Sequence, residues 1–152
     1  MREIKKRLVT EFQKPVLSLY GANALLDTGT DIPVCYYSGI LTQYFHAKKV
    51  AAALSIGTFG ENVTGDVYEV PLFQIGDLSF PGLRFFVPTA VHASEFLFIL
   101  SASMFDKLIY EIDKENDWLT IRVPDNESLE RHIILYDKDG NKHVLCGKQL
   151  NS

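Results

Sequence analysis

Residues Ala24-Leu25-Leu26-Asp27-Thr28-Gly29-Thr30, ALLDTGT, decide how this chain is read. Two leucines run directly into an aspartate, and a threonine and a glycine follow before a second hydroxyl residue. An apolar run of this kind suits a buried strand, yet a carboxylate desolvated without partners costs several kcal/mol. One reading makes Asp27 an ordinary turn residue at a strand end, because Asp and Gly are common turn formers. The other makes it an acid put there for use. The flanking residues favour the second: Leu25 and Leu26 bring the carboxylate out of a core, and the hydroxyls of Thr28 and Thr30 surround it with hydrogen-bond donors.

Working outward, the 152 residues suit one domain, long enough to bury roughly 70% of its unfolded surface. A content of 47% hydrophobic and 22% charged residues describes a globular protein. The net charge of -4 and the absence of a dense Lys/Arg block argue against nucleic acid or an anionic membrane as partner. Lys5, Lys6 and Arg7 form a short cluster between Glu3 and Glu11 and read as a solvated first strand or arm. The residues after it, Leu8 to Lys14, lack the apolar segment of a secretory signal. No apolar run has the length of a membrane span. Cys35 and Cys146 stand far apart and suit reduced thiols, which points to the cytoplasm. His46, His92, His132 and His143 are scattered without metal-ligand spacing, so neither a metal nor a cofactor is expected.

Most of the chain consists of short β-like runs separated by Gly, Pro, Asn and Asp. Val16 to Leu26 reads as two strands joined by a tight turn within Tyr20 to Asn23. Between Tyr36 and Ala53 a short helix is expected, since Ile40, Leu41, Tyr44 and Phe45 share one face. Ile56 to Gly65 holds three glycines between Ala51–Leu54 and Val67–Val70, the pattern of a hairpin with a glycine-rich tip. Leu72 to Ile75 and Leu83 to Val87 form a further pair about Gly76-Asp77. Phe96 to Leu100 is apolar throughout, as in a strand buried on both faces. Ser101 to Tyr110 reads as a helix with Met104, Phe105, Leu108 and Ile109 on one stripe. Two strands follow, Tyr110 to Asp113 and Trp118 to Val123. After a polar break from Pro124 to Glu130, Ile133–Tyr136 and Val144–Cys146 flank an Asp-Gly turn in a last hairpin. Asp137 to Asn141 has its glycine too early for a calcium loop and reads as a plain turn.

In this order of elements the sequence resembles the retropepsin-like aspartic proteases, single-domain dimeric relatives of pepsin, from about Val16 to Val123. Ala24 to Thr30 matches the family's catalytic motif of two hydrophobics, Asp, Thr or Ser, Gly, and a small or hydroxyl residue. Ile56 to Val70 is similar to the flap. Phe98-Ile99-Leu100-Ser101 occupies the place of the second motif, two hydrophobics and a glycine, ahead of a helix here expected over Ala102 to Tyr110. Ser101 departs from that glycine, where backbone passes close beneath the catalytic loop.

The resemblance implies a mainly β fold, an acid-protease β-barrel or sandwich with one short C-terminal helix and a flap hairpin, active as a homodimer. The chain, 1–152, is then a single such domain, with 127–152 a C-terminal hairpin extension and a possible dimer element. It implies an aspartic endopeptidase in which Asp27 and its copy in the partner share one proton and activate water. Thr28 would bond across the two-fold axis and Gly29 would let backbone approach the carboxylate. Thr30 would donate to its outer oxygen and favour the ionised form, with an acid-shifted activity optimum. Phe59, Gly60, Val63 and Thr64 would bind an extended peptide at the flap, and Ile99, Leu100 and Ser101 would lie beneath the site. A second reading keeps the fold as a catalytically inactive peptide-binding or dimerisation module, which Ser101 favours. Asp31 and Asp66 lack the following Thr-Gly and are set aside as the second acid.

Overall fold

The computed structural model describes residues 2–27, 32–58, 61–90, 94–105, 108–123, 128–137 and 142–150. The apolar run before Asp27 is one arm of a hairpin. β2 (Val16–Leu19) and β3 (Ala22–Asp27) pair antiparallel, from Val16 opposite Leu25 to Leu19 opposite Ala22. Tyr20 and Gly21 both hold positive φ, 53° and 76°. Two such residues make the primed turn whose twist suits a hairpin, so the link is shorter than expected and Ala22 and Asn23 already belong to β3. Tyrosine in left-handed backbone costs about 1–2 kcal/mol. Its ring lies 4.8 Å from Phe45, 5.3 Å from Phe73 and 5.9 Å from Tyr44, and its hydroxyl accepts the Gln74 N–H at 2.8 Å. Aromatic pairs stabilise by about 0.5–1.5 kcal/mol each, enough to offset the backbone cost.

β3 then runs parallel to β8 (Phe98–Ser101), Ala24 beside Phe98, Leu25 beside Ile99, Leu26 beside Leu100 and Asp27 beside Ser101. All of β8 is buried. β4 (Val34–Cys35) lies on the other side of β8, antiparallel to it. The pleat sends alternate residues to opposite faces, and each face meets its own core. Ala24, Leu26, Phe98 and Leu100 join the larger cluster, with Phe73 and Phe85. Leu25 and Ile99 join a smaller one with Val16, Ile32, Val34, Leu54, Val67 and Phe86. Burying one such large side chain fully stabilises by about 1.5–3 kcal/mol, so the strand pair is held from both sides.

A long hairpin follows from β5 (Lys48–Thr58) and β6 (Glu61–Ile75), and β6 continues into β7 (Leu78–Pro88) through a turn with Gly76 at φ 58°. β1 (Arg2–Arg7), β9 (Ile109–Asp113) and β10 (Trp118–Val123) make a separate three-stranded sheet in the order β1-β10-β9. The last hairpin, β11 (Ser128–Asp137) and β12 (Lys142–Leu150), extends the other sheet. That sheet has the order β12-β11-β5-β6-β7-β4-β8-β3-β2. β11 pairs with β5 at Tyr136–Ser55 and Asp137–Leu54, and Leu150 of β12 reaches Ser79 of β7. The polar break is therefore shorter than read, ending before Ser128. Among the described residues no helix is long and apolar enough to cross a membrane.

The first expected helix is α1 (Ser38–Gln43), with Leu41 buried; the chain leaves it through His46 at φ 55° and is a strand from Lys48. The second is corrected. Ala102–Phe105 is a single 3-10 turn, and β9 already begins at Ile109. Met104, Phe105 and Leu108 are buried as the stripe requires, but Ile109 is exposed. Pairing of Ile109 with Arg122 and Tyr110 with Ile121 draws the chain into the three-stranded sheet. A short apolar run at these spacings is ambiguous between helix and strand, and the β10 edge decides it.

Gly65 of β6 lies opposite Pro88 of β7 with no room for a side chain. A Cβ there would come within 2.3 Å of the Val87 carbonyl oxygen and 2.9 Å of Pro88 Cα, both backbone atoms that cannot swing away. Gly65→Ala is expected to lower unfolding free energy by about 1–3 kcal/mol, the usual range for overpacking; a denaturant midpoint equal to the parent's would show that the hairpin root yields freely.

Candidate active site

Asp27 is the last residue of β3 and is half-buried. Its side-chain face follows from the pairing already described. Leu25 and Ile99 point into the smaller cluster, and two residues on, Asp27 and Ser101 continue on that face. The acid therefore stands at the end of a small apolar wall formed by Leu25, Val34, Ile99, Leu54, Val67 and Phe86. Leu54 and Val67 come from the root of the β5–β6 hairpin, and Val63 packs on the same cluster. The long hairpin is thus seated on the face that ends in Asp27.

Tyr36, just past β4, packs against this wall as well, with its N–H donated to the Leu97 carbonyl at 3.0 Å. Burial, and after it the negative charge of Asp27, push the Tyr36 phenol above its ordinary range. Sequence reading passed over Tyr36. Its signal was the alternation Val34, Cys35, Tyr36, which puts Tyr36 on the face of Val34. Cys35 points to the other core, where burial raises its thiol to about 11 despite a hydrogen bond to the Tyr37 carbonyl.

Asp66 has a different task. The register of β5 against β6 shifts between Lys49 and Ala51 and again between Ala51 and Leu54, and Ala53 has φ 54°. The Asp66 carboxylate accepts the Ala53 N–H at 3.1 Å and pairs with the Lys49 ammonium at 3.3 Å. It caps the bulge and does not face the wall, since its neighbour Val67 does.

Ile99 belongs to the wall, Leu100 to the larger core, and Ser101 is fully buried with its hydroxyl 2.6 Å from that of Ser103. Thr64 is exposed, and its carbonyl accepts the Thr89 N–H at 2.9 Å. Thr28, Gly29, Thr30, Asp31, Phe59 and Gly60 lie outside the described residues. Among the described residues no three His, Cys, Asp or Glu side chains gather as a metal site.

The arrangement of strands is similar to the retropepsin-like fold. In particular, the chain superposes on the retropepsin-like aspartic protease from Rickettsia conorii with a TM-score of 0.52 and 14% identity, over 95% of this chain and 93% of that one. At that identity the likeness is one of fold. No protein-family model matches the sequence, and a search of curated proteins returns no match.

The Tyr36–Asp27 coupling is open to measurement. Removing the charge in Asp27→Asn is expected to bring the Tyr36 phenol down, but only part of the way, because burial is the larger cause. Phenolate absorbance, differenced against the same protein carrying Tyr36→Phe, reads the shift; an unmoved midpoint would place the two groups out of each other's field.

Proposed function

We propose that this protein is an aspartic endopeptidase that works as a homodimer. The observation that carries this reading is the placement of Asp27: an acid at the end of a two-sided buried strand, on the face where a long hairpin is seated. One chain supplies one such acid followed by Thr-Gly. A C2 dimer would bring Asp27 and its symmetry copy together across the axis. Two neighbouring carboxylates cannot both ionise, a behaviour for which aspartic proteases are the standard example. The ionised one takes a proton from water, and the protonated one gives its proton to the scissile carbonyl oxygen.

The substrate would be an extended segment of peptide or protein, paired as an added strand with the β5–β6 hairpin acting as a flap. Its apolar side chains would meet the wall of Leu25, Val34, Leu54 and Ile99, and closure of the flap would exclude water. Thr28, Gly29 and Thr30 are assigned to holding the active-site loop, with Phe59, Gly60, Val63 and Thr64 at the flap. The hairpin of β11 and β12 is the proposed dimer element outside the catalytic strands. A reduced, buried Cys35 suits work in the cytoplasm. Neither metal nor cofactor enters this chemistry.

The second reading, a catalytically inactive peptide-binding or dimerisation module, draws on Ser101, a residue with a side chain where the resembling motif has glycine. Cleavage of a diverse peptide mixture between about pH 3 and 7, the range in which a shared-proton carboxylate pair operates, separates the two. The endopeptidase reading expects cleavage with a preference for apolar residues at the cut, reduced at least ~100-fold in Asp27→Asn, the scale of lost acid–base catalysis. Tight peptide binding with no cleavage at any pH would establish the inactive module instead.

A further inference from the structure

Asp66 stands opposite the most irregular stretch of the β5–β6 hairpin. β5 carries an extra residue at two places, between Lys49 and Ala51 and again between Ala51 and Leu54, where β6 has none. A bulge bends its strand and leaves ladder groups unpaired. Beside the second one Ala53 takes left-handed backbone at φ 54°, a conformation that an L side chain resists. Asp66 lies between Val67, the partner of Ala51, and Gly65, the partner of Leu54. Its carboxylate spans both bulges: one oxygen accepts the Ala53 N–H at 3.1 Å, and the other lies 3.3 Å from the Lys49 ammonium.

The two strands are held unequally at this point. β6 is seated on β7, with Gly65 opposite Pro88, Asp66 opposite Val87 and Val67 opposite Phe86, and the Thr89 N–H bonds to the Thr64 carbonyl. On the outer side of β5, β11 pairs only with Leu54 and Ser55, so among the described residues no strand borders the bulged stretch before them. Asp66 is therefore carried by the fixed strand and holds the irregular one. The residue after Ala53 is Leu54, fully buried in the wall beside Asp27. The conformation of Ala53 thus sets how Leu54 enters that wall and in which direction β5 leaves it.

We infer that Asp66 is a positioning residue for peptide cleavage: it clamps the bulged β5 to the seated β6, and so fixes the place of Leu54 in the wall and the pitch of the β5–β6 arm. This rests on the endopeptidase reading of Asp27. Of the two contacts, the backbone hydrogen bond carries the clamp. The Lys49 side chain is half exposed, and an ion pair so open to solvent contributes little, whereas an N–H donated to a carboxylate is charge-assisted. An extended peptide that pairs with the arm and packs on Leu54 meets both in its bound state and in the transition state alike. Loosening them weakens binding and leaves proton transfer untouched.

The test joins amide hydrogen exchange at Ala53, read by NMR in the full chain, to KM and kcat for peptide cleavage at one pH. Asp66→Ala should speed exchange at Ala53 about tenfold, the scale of one hydrogen bond to a charged group, while the amides of β3 and β8 keep their protection and show the fold intact. KM should rise about three- to tenfold with kcat held within about twofold, the pattern of lost uniform binding. Asp66→Asn keeps an oxygen for the Ala53 N–H and should restore most of both, and Lys49→Ala should move both far less than Asp66→Ala. Unchanged Ala53 exchange in Asp66→Ala overturns the clamp. Faster exchange with KM unmoved overturns its part in placing substrate, and a Lys49→Ala effect as large as that of Asp66→Ala assigns the effect to the ion pair and overturns the proposal as stated. Absence of cleavage in every protein, wild type included, overturns the endopeptidase reading, while exchange at Ala53 still judges the clamp.

Discussion

The parallel pairing of β3 with β8 is the constraint from which the rest of this molecule follows. A parallel pair has both faces to cover, and here one face is closed by the larger core about Phe73 and Phe85 and the other by the smaller cluster about Phe86 and Leu54. The pairing also fixes register. A one-residue slip of β3 would turn Leu26 toward the smaller cluster and Leu25 and Asp27 toward the larger, setting a carboxylate against an apolar core. Because register is pinned, the place of the next residue pair is pinned as well. Asp27 and Ser101 come at the end of the covered length, side by side, on the face of the smaller cluster.

What surrounds that face supports one use of the acid. The hairpin of β5 and β6 is rooted by Leu54 and Val67 in the same cluster, so it is anchored to the wall beside Asp27. Its root is shaped on purpose: two register shifts, a left-handed Ala53 and the Asp66 carboxylate that accepts the Ala53 N–H bend β5 before it rises. Backbone strain of this kind costs of order 1–3 kcal/mol and persists where the surroundings hold it. Gly65, tight against Val87 and Pro88, completes the seat. An acid, an apolar wall and a rooted hairpin suit the binding of an extended chain, and on the proposed reading the second carboxyl group comes from a symmetry mate.

Much of this was legible in the residues because local signals agreed with the tertiary outcome. ALLD announced a buried strand ending in an acid, Gly76-Asp77 announced a turn, and the run Phe98 to Leu100 announced burial on both sides. Where the reading differed, a distant partner decided. Met104, Phe105 and Leu108 are spaced as a helix and buried as one, yet β10 captures the chain from Ile109 onward. Tyr20 is a poor residue for left-handed backbone, and only the rings of Phe45 and Phe73, far along the chain, explain its place in the turn. Tyr36 and Ser103 carried no motif; the first is brought to Asp27 by the β4–β8 pairing and the second meets Ser101 through the 3-10 turn. The local alternation places Tyr36 on the face of Val34 but not its nearness to Asp27, which depends on strands far apart in the chain, and the Ser101–Ser103 contact depends on a 3-10 turn where the pattern read as a longer helix.

The central claim is that the working site needs Asp27 from two chains, and subunit mixing tests it most directly. Wild-type chains are refolded together with increasing proportions of Asp27→Asn chains at constant total concentration, and peptide cleavage is read for each mixture. If each site draws one carboxyl group from each subunit, total activity follows the square of the wild-type fraction. Activity that falls in simple proportion to the wild-type fraction would show that one chain suffices, and would contradict the shared-acid account.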